Sequence, residues 1–448
     1  MMDPWFGSLC ERVPAATVSY LNLISLLGWM VLCAVAWGLG GCKRPIHWRT
    51  VAGSTLLTFG LAAIVFLVPL TRRLLLVLND VILLFLSSSA KGAEFLFGPL
   101  ALSPGQATAA GEPSVGFVLA AQVLPAVIFF ASVMAVLHHL NVIEPVVRVF
   151  GRIFHKTLEL SGAEALTGSI HMFFGVETAA AVRPYLGKMT RSELLMVLAS
   201  NLSTVASTTL AVYVIFLREA FPQIAGHLLS ASLLSIPCAV LAAKLMLPET
   251  ETPETMGSVP AMARSERHAS AMGALAAGAW DGLKVAAGIT TILIAVLGLV
   301  GVIDLLLAKI VGFFIESGEP LTLAGILGWL FVPVAWLLGI EVGDLAQTGR
   351  LLGQRLVLTE VVSYQELGGL ASELSPRSIL ILSYALCGFA HVGGMGIAVG
   401  GFGALAPDRL EDLAGLALRA LAAATLATLL TGCLAGIFFH GQAGILGL

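Results

Sequence analysis

Residues 161–189 read SGAEALTGSIHMFFGVETAAAVRPYLGKM and residues 343–373 read GDLAQTGRLLGQRLVLTEVVSYQELGGLASE; neither is an ordinary membrane span, and that shared failure decides the fold. Glu164, His171, Glu177 and Arg183 are spread through the first segment, and Arg350, Arg355 and Glu360 through the second. Each half of either segment is about ten to fifteen residues, short of the ~20 that cross ~30 Å of hydrocarbon as a helix. Irregular backbone at membrane depth is tolerated only inside protein or beside a water-filled cavity. Both segments are therefore predicted to be re-entrant helical hairpins.

The surrounding chain sets that membrane context. Of 448 residues, 58% are apolar and 11% charged, whereas a soluble domain is about a quarter charged. Apolar runs predict an all-α polytopic membrane protein with about eight full spans, at 17–41, 51–70, 115–140, 192–217, 221–247, 285–308, 378–403 and 411–439. The expected location is a plasma or bacterial inner membrane. A net charge of −3 gives no sign of a nucleic-acid partner. Six scattered cysteines (Cys10, Cys33, Cys42, Cys238, Cys387 and Cys433) contain no CxxC pair and read as small buried hydrophobes rather than disulfides or zinc ligands. The first twenty residues lack the basic, apolar and small-residue sequence of a cleavable signal peptide, so the first span is expected to persist.

Basic residues are retained on the cytoplasmic side. Lys43, Arg44, Arg49, Arg148, Arg152, Lys156, Lys188, Arg191, Lys244, Arg264, Arg267 and Arg409 share one side if both termini lie outside; Arg72, Arg73, Lys91, Arg218 and Lys309 fall opposite. Residues 248–270 read as a solvated cytoplasmic loop, 101–114 as an outer loop, and 74–97 as a helix at the interface. The segment 321–339 is long enough to span; it is assigned to the interface, bent by Pro333. This divides the chain into scaffold spans and interfacial helices (1–160), a first repeat (161–247), a loop and linker (248–284), a scaffold span with an interfacial helix (285–342) and a second repeat (343–448).

The repeat is visible after each hairpin. A link containing Arg191-Ser192 or Arg377-Ser378 precedes about nine apolar residues and then a break: Asn201 to Ser207 in one copy, Phe389 to Gly396 in the other. Ser/Thr clusters and repeated Gly weaken a helix and free its backbone groups. Three predicted spans lie between the copies, so they enter from opposite sides. Inverted repeats with broken helices mark secondary transporters, with the site where the copies meet.

Five stretches carry a resemblance: FVLAAQVLPAVIFFASVMAVL (117–137), FFGVETAAAVRPYLGKM (173–189), FVPVAWLLGIE (331–341), LTEVVSYQEL (358–367) and LSPRSILILSYALCGFAHVGGMGI (374–397), followed by GALAP (403–407). From about residue 85 onward the chain resembles the concentrative nucleoside transporters. The resemblance implies a homotrimer with a fixed scaffold, an elevator-like transport domain, and nucleoside uptake driven by Na⁺ or H⁺. It needs no organic cofactor. The family's Gly-Gln-(Thr/Ser)-Glu is one residue shorter here, Gly175-Val176-Glu177, so Glu177 matches the base-addressing Glu and the Gln is missing. The family's Asn-Glu-Phe becomes Thr359-Glu360-Val361, with Glu360 matching the ribose-binding Glu. In the broken helix Phe389 persists, the family Asn becomes His391, and the Ser pair becomes Gly393-Gly394, which removes hydroxyls from the sugar site. The family's cation-ligating Asn becomes His171; the other ion ligands would be backbone oxygen near Phe174 and groups at Ser203 and Thr204.

Bland readings stand beside these. Glu177 and Glu360 are costly mid-membrane carboxylates, expected to be functional unless they pair structurally with Arg183 or Arg355. A carboxylate offers two acceptor oxygens to sugar hydroxyls. Phe389 stacks a base or is core; Gly388, Gly393, Gly394 and Gly396 are a break or a packing face. His138-His139 reads as polarity near the interface. A membrane enzyme is disfavoured because HExxH, GxSxG and metal-ligand clusters are missing. H⁺ is expected over Na⁺ as coupling ion, because His171 replaces an amide oxygen by an imidazole that titrates near neutrality. The alternative is Na⁺-coupled transport of a modified nucleoside or similar polar solute.

Overall fold

The computed structural model describes residues 19–42, 46–102, 106–107, 111–175, 178–257, 259, 270–312 and 322–441. It is helical, in the order α1 (Tyr20–Leu39), α2 (Trp48–Leu67), α3 (Pro69–Phe97), α4 (Leu119–Gln122), α5 (Leu124–His139) and α6 (Ile143–Leu158). There follow α7 (Gly162–His171), α8 (Thr178–Leu186), α9 (Arg191–Ser203), α10 (Ser207–Leu217) and α11 (Ile224–Met246). Then come α12 (Ala271–Gly312) and α13 (Leu323–Leu337). The chain closes with α14 (Leu345–Val357), α15 (Glu360–Gly369), α16 (Pro376–Ala385), α17 (Val392–Leu405) and α18 (Leu410–Ile437). Among the described residues, seven helices are long and apolar enough to cross a membrane. The protein is an integral, multi-pass membrane protein.

The element order repeats. A hairpin of two short helices (α7–α8), a broken helix (α9–α10) and a long helix (α11) recur as α14–α15, α16–α17 and α18. The long helices close the core: 89% of the apolar window of α11 and 83% of that of α18 is buried, against 11% for α12. With few of its residues buried, α12 lies at the periphery, packed along α5 through Gly278 and Gly282, and its other faces are apolar as for lipid; the two repeats lie inside.

Each broken helix starts from a deliberate cap. Thr190 Oγ1 accepts from Glu193 N (3.1 Å) and Glu193 Oε2 accepts from Thr190 N (2.8 Å). Ser161 and Glu164 form the same reciprocal box at α7. These boxes put two carboxylates in the buried base of the first repeat, where Lys244 Nζ sits 2.6 Å from Glu164 Oε1 and donates to Ser192 Oγ. In the second repeat Ser375 caps α16, and Arg377 donates to Gly339 O, Asn22 Oδ1, Ser25 Oγ and Gly436 O. One guanidinium thereby ties α16 to α1 and to the end of α18.

Three expectations change. Residues 271–284 are not linker: α12 runs unbroken for 42 residues, about 60 Å at 1.5 Å per residue, because nothing in that stretch interrupts a helix. The start of the expected solvated loop packs back instead. Thr255 O and Oγ1 accept from Gly162 N (2.9 Å) and Ala163 N (3.0 Å), and Glu249 Oε2 accepts from Thr190 Oγ1. Free amides at a helix start need acceptors, and this segment supplies them. Arg148, Arg152 and Lys156 lie on a helix, α6, whose buried face is Ile143, Val147, Gly151, Phe154 and Leu158. The stretch 74–97 extends into the 29-residue α3, which is by length and composition sufficient to cross. The segment 321–339 yields the 15-residue α13 containing Pro333, shorter than the spans.

Candidate functional site at the crossing of the two breaks

The breaks fall where the hydroxyl and glycine clusters place them. Helix α9 ends at Ser203, and Thr204 Oγ1 donates to Ser200 O (2.9 Å) while Ser203 Oγ donates to the same oxygen (3.3 Å). These hydroxyls close carbonyls that the interrupted ladder leaves open. Helix α16 ends at Ala385, whose carbonyl accepts from Arg355 Nη1; the same nitrogen donates to Thr428 Oγ1 on α18 (2.9 Å). At Gly388, φ is +154° and a Cβ would meet Ser203 C and O at 2.9 Å and Thr428 Cγ2 at 2.9 Å. Only glycine allows the second break to lie directly on the first.

Hairpin tips converge on this crossing. His171, at the end of α7 and fully buried, has Nδ1 2.8 Å from Ser200 Oγ, just before the first break. Two residues on, Phe173 O accepts from Ser207 N (3.1 Å) and Ser207 Oγ (2.8 Å), just after it. Phe174 is half-buried against the His138 ring, 6.1 Å away; His138 therefore lies against the hairpin rather than serving only as interface polarity. Val176 and Glu177 fall outside the described residues. Arg183 is exposed.

The second hairpin places Glu360 at the first position of α15, behind the N-cap Thr359, whose side chain accepts from Val362 N (3.4 Å). A helix start favours negative charge. Glu360 is 1% exposed, and its carboxylate joins both repeats. Oε1 accepts from Tyr213 Oη of α10 (2.8 Å), and Oε2 lies 3.0 Å from His391 Nε2 at the end of the second break. That second contact is short but not well aligned, so Oε2 has no aligned donor. The alternative pairing with Arg355 is not made; its guanidinium is spent on Ala385 and Thr428.

Hydrogen-bond partners assign both histidine tautomers. Ser200 Oγ reaches Val197 O at 3.0 Å, and with its hydrogen placed there His171 Nδ1 is the donor to it. His171 Nε2 then bears a buried lone pair without a partner. His391 is the reverse. It is the N-cap of α17, and its Nδ1 accepts from Gly394 N (3.1 Å), so its proton sits on Nε2, facing Glu360. Gly394 has no room for a larger residue, since a Cβ would lie 2.3 Å from Phe389 O. Phe389 is half-buried with its ring 6.3 Å from that of His391.

Glu360, Thr359, His391, Phe389 and Gly394 thus come together at the second break, and His171, Phe174, Ser203 and Thr204 at the first. Tyr213, Tyr364 and Ser200 were not singled out from sequence. The available signal was a tyrosine inside the apolar run 207–217, because a buried phenol needs a hydrogen-bond partner.

The chain matches the sequence family described as "Na+ dependent nucleoside transporter C-terminus" over residues 227–436, the corresponding N-terminus over 27–100, and "Nucleoside recognition" over 120–220. Nucleoside permease NupC of Helicobacter pylori is 32% identical over 426 residues, covering 94% of this chain and 98% of that protein. The protein belongs to the concentrative nucleoside transporter family. Putative nucleoside permease NupX of Escherichia coli is 33% identical, with 92% and 98% covered. The solved structure of CNTnw in an inward-facing substrate-bound state superposes with a TM-score of 0.82 at 35% identity, covering 93% of this chain and 98% of that one. The relatives are transporters and permeases, and this family member is a transporter, not an enzyme.

Proposed function

We propose that the protein takes up nucleosides by symport with H⁺, as a homotrimer whose paired repeats move like an elevator against a scaffold of α3, α5 and α12. One observation carries the substrate class. The buried Glu360 carboxylate joins both repeats and keeps one oxygen without an aligned donor, an arrangement suited to a polar, hydroxyl-bearing solute. Phe389 offers a ring for the base at the same break, and Glu177, with Val176 before it, matches the family's base-addressing Glu in sequence. The names of the relatives point to the same substrate.

His171 supports the proton. Its Nε2 has no partner among the described residues and can gain a proton without breaking a bond already made. An enclosed imidazolium without a carboxylate partner is costly, so loading belongs to the state in which the hairpin opens to water. The Na⁺ reading, with a modified nucleoside as cargo, draws on the family's Na⁺-dependent description and on the oxygens of Ser203 and Thr204. The test is uptake of labelled uridine and adenosine into proteoliposomes under a pH gradient without Na⁺, against a Na⁺ gradient at constant pH. Accumulation under the pH gradient alone is expected. Accumulation driven only by Na⁺ overturns proton coupling, and no uptake of either nucleoside overturns the substrate class.

A further inference from the structure

We propose that Tyr213 sets how the sugar is read, so that one ribose hydroxyl is recognised strongly and the other hardly at all; this rests on nucleosides being the substrate. An unencumbered carboxylate can take two neighbouring hydroxyls, one on each oxygen. Here one lone pair of Glu360 Oε1 takes the Tyr213 phenol at 2.8 Å, and the buried tyrosine stands on that side of the carboxylate. That phenol is not free to leave. The Tyr213 ring is fully buried and stacks on Tyr364, with centroids 4.3 Å apart and planes 16° from parallel. Tyr364 is anchored in turn by its hydroxyl, which donates to Ser383 O at 2.6 Å near the end of α16. The stack therefore runs from the first broken helix through the second hairpin to the second broken helix, and it holds the carboxylate in one orientation.

The remaining oxygen, Oε2, stands beside His391 Nε2 at 3.0 Å, and the N-cap bond from Gly394 N to Nδ1 leaves the ring proton on Nε2. An acceptor next to a donor complements one hydroxyl group, which donates to Oε2 and accepts from Nε2–H. Among the described residues of the second break, Gly393 and Gly394 bring no side chains to a second hydroxyl, and the Gly394 amide is already committed to His391. Recognition through one hydroxyl follows from these placements.

The experiment is competition by uridine, 2′-deoxyuridine, 3′-deoxyuridine and 2′,3′-dideoxyuridine for labelled nucleoside binding to the purified full-length protein. In the wild type, loss of one hydroxyl should weaken binding by about tenfold or more, the scale of one charge-assisted hydrogen bond. Loss of the other should cost less than about threefold on the same scale. Removing both should cost no more than removing the first. Tyr213→Phe, which opens Oε1, should make the tolerated deletion costly by about fivefold or more relative to uridine. A merely structural role would shift all four ligands together and leave their ratios unchanged. Two costly deletions in the wild type, no costly deletion, or unchanged ratios in Tyr213→Phe would each overturn the proposal. If that variant does not fold, the wild-type ratios decide alone. Failure of all four compounds to bind would instead refute nucleosides as the substrate.

Discussion

Replacing Glu360 by Gln keeps the shape of the side chain and removes its charge, and the structure fixes what that costs. With the amide oxygen left on the Tyr213 hydroxyl, the amide NH₂ faces His391 Nε2–H across 3.0 Å, donor against donor. With the amide turned over, the NH₂ faces the Tyr213 hydroxyl, whose own hydrogen loses its acceptor. His391 cannot relieve the conflict by changing tautomer, because Nδ1 is needed to accept from Gly394 N. Substrate additionally exchanges a charged acceptor for a neutral one or a donor, a loss of about 1.5–3 kcal/mol, equivalent to about 10- to 150-fold in affinity. The assay is equilibrium binding of labelled uridine to purified Glu360→Gln protein, paired with initial uptake rates in proteoliposomes. Expression and oligomeric state should be unaffected. Binding within about twofold of wild type would remove Glu360 from the site and with it the reasoning from the shared carboxylate.

Two further substitutions test the surrounding frame. Gly388→Ala forces a Cβ against the Ser203 backbone and Thr428, and overpacking of this kind costs about 1–3 kcal/mol; a lower thermal unfolding midpoint in detergent is expected together with slowed uptake, and an unchanged midpoint would mean the breaks do not cross as closely as described. Lys244→Met strands the buried Glu164 carboxylate beside Glu193, and removing one partner of a buried ion pair costs about 3–5 kcal/mol. Its destabilisation should be partly restored by a second change, Glu164→Gln, and a wild-type unfolding midpoint in the single variant would refute the pairing.

The parts legible in the sequence were those where polarity contradicts a membrane setting. Glu164, His171 and Glu360 interrupt apolar runs and so announced the hairpins; Ser203-Thr204 and the glycines from Gly388 to Gly396 announced the breaks. What stayed hidden was polarity that agrees with its surroundings. Tyr213 sits in LAVYVIFL and reads as one more apolar residue until a partner for its hydroxyl is found 147 positions away. Helix α6 was not singled out because its charges drew attention to sidedness, although Ile143, Val147, Phe154 and Leu158 recur at helical spacing. The acceptors supplied by Glu249 and Thr255 lie in a segment rich in Glu, Thr and Pro, and composition alone cannot say that a polar segment will be spent on capping a neighbour's helix.

The convergence of the tips bears on how movement and coupling can coexist. His171 and Phe173 hold the first hairpin to either side of the first break, and Glu360 holds the second hairpin to Tyr213 beyond the first break and to His391 at the end of the second. Gly388 seats one break on the other, and Arg355 fastens the second to α18. These contacts join the two repeats through buried polar groups, each of which would be costly to leave unpaired in a low-dielectric interior. Sliding one repeat past the other would break several at once, whereas moving both together against α12 breaks none of them. Opening a hairpin tip breaks only the contacts of that tip, such as those of His171 and Phe173 or those of Glu360. On the proposed reading, the paired repeats would move as one body with tips that open locally, and solute at Glu360 and a proton on His171 Nε2 would replace the bonds that an opening tip gives up.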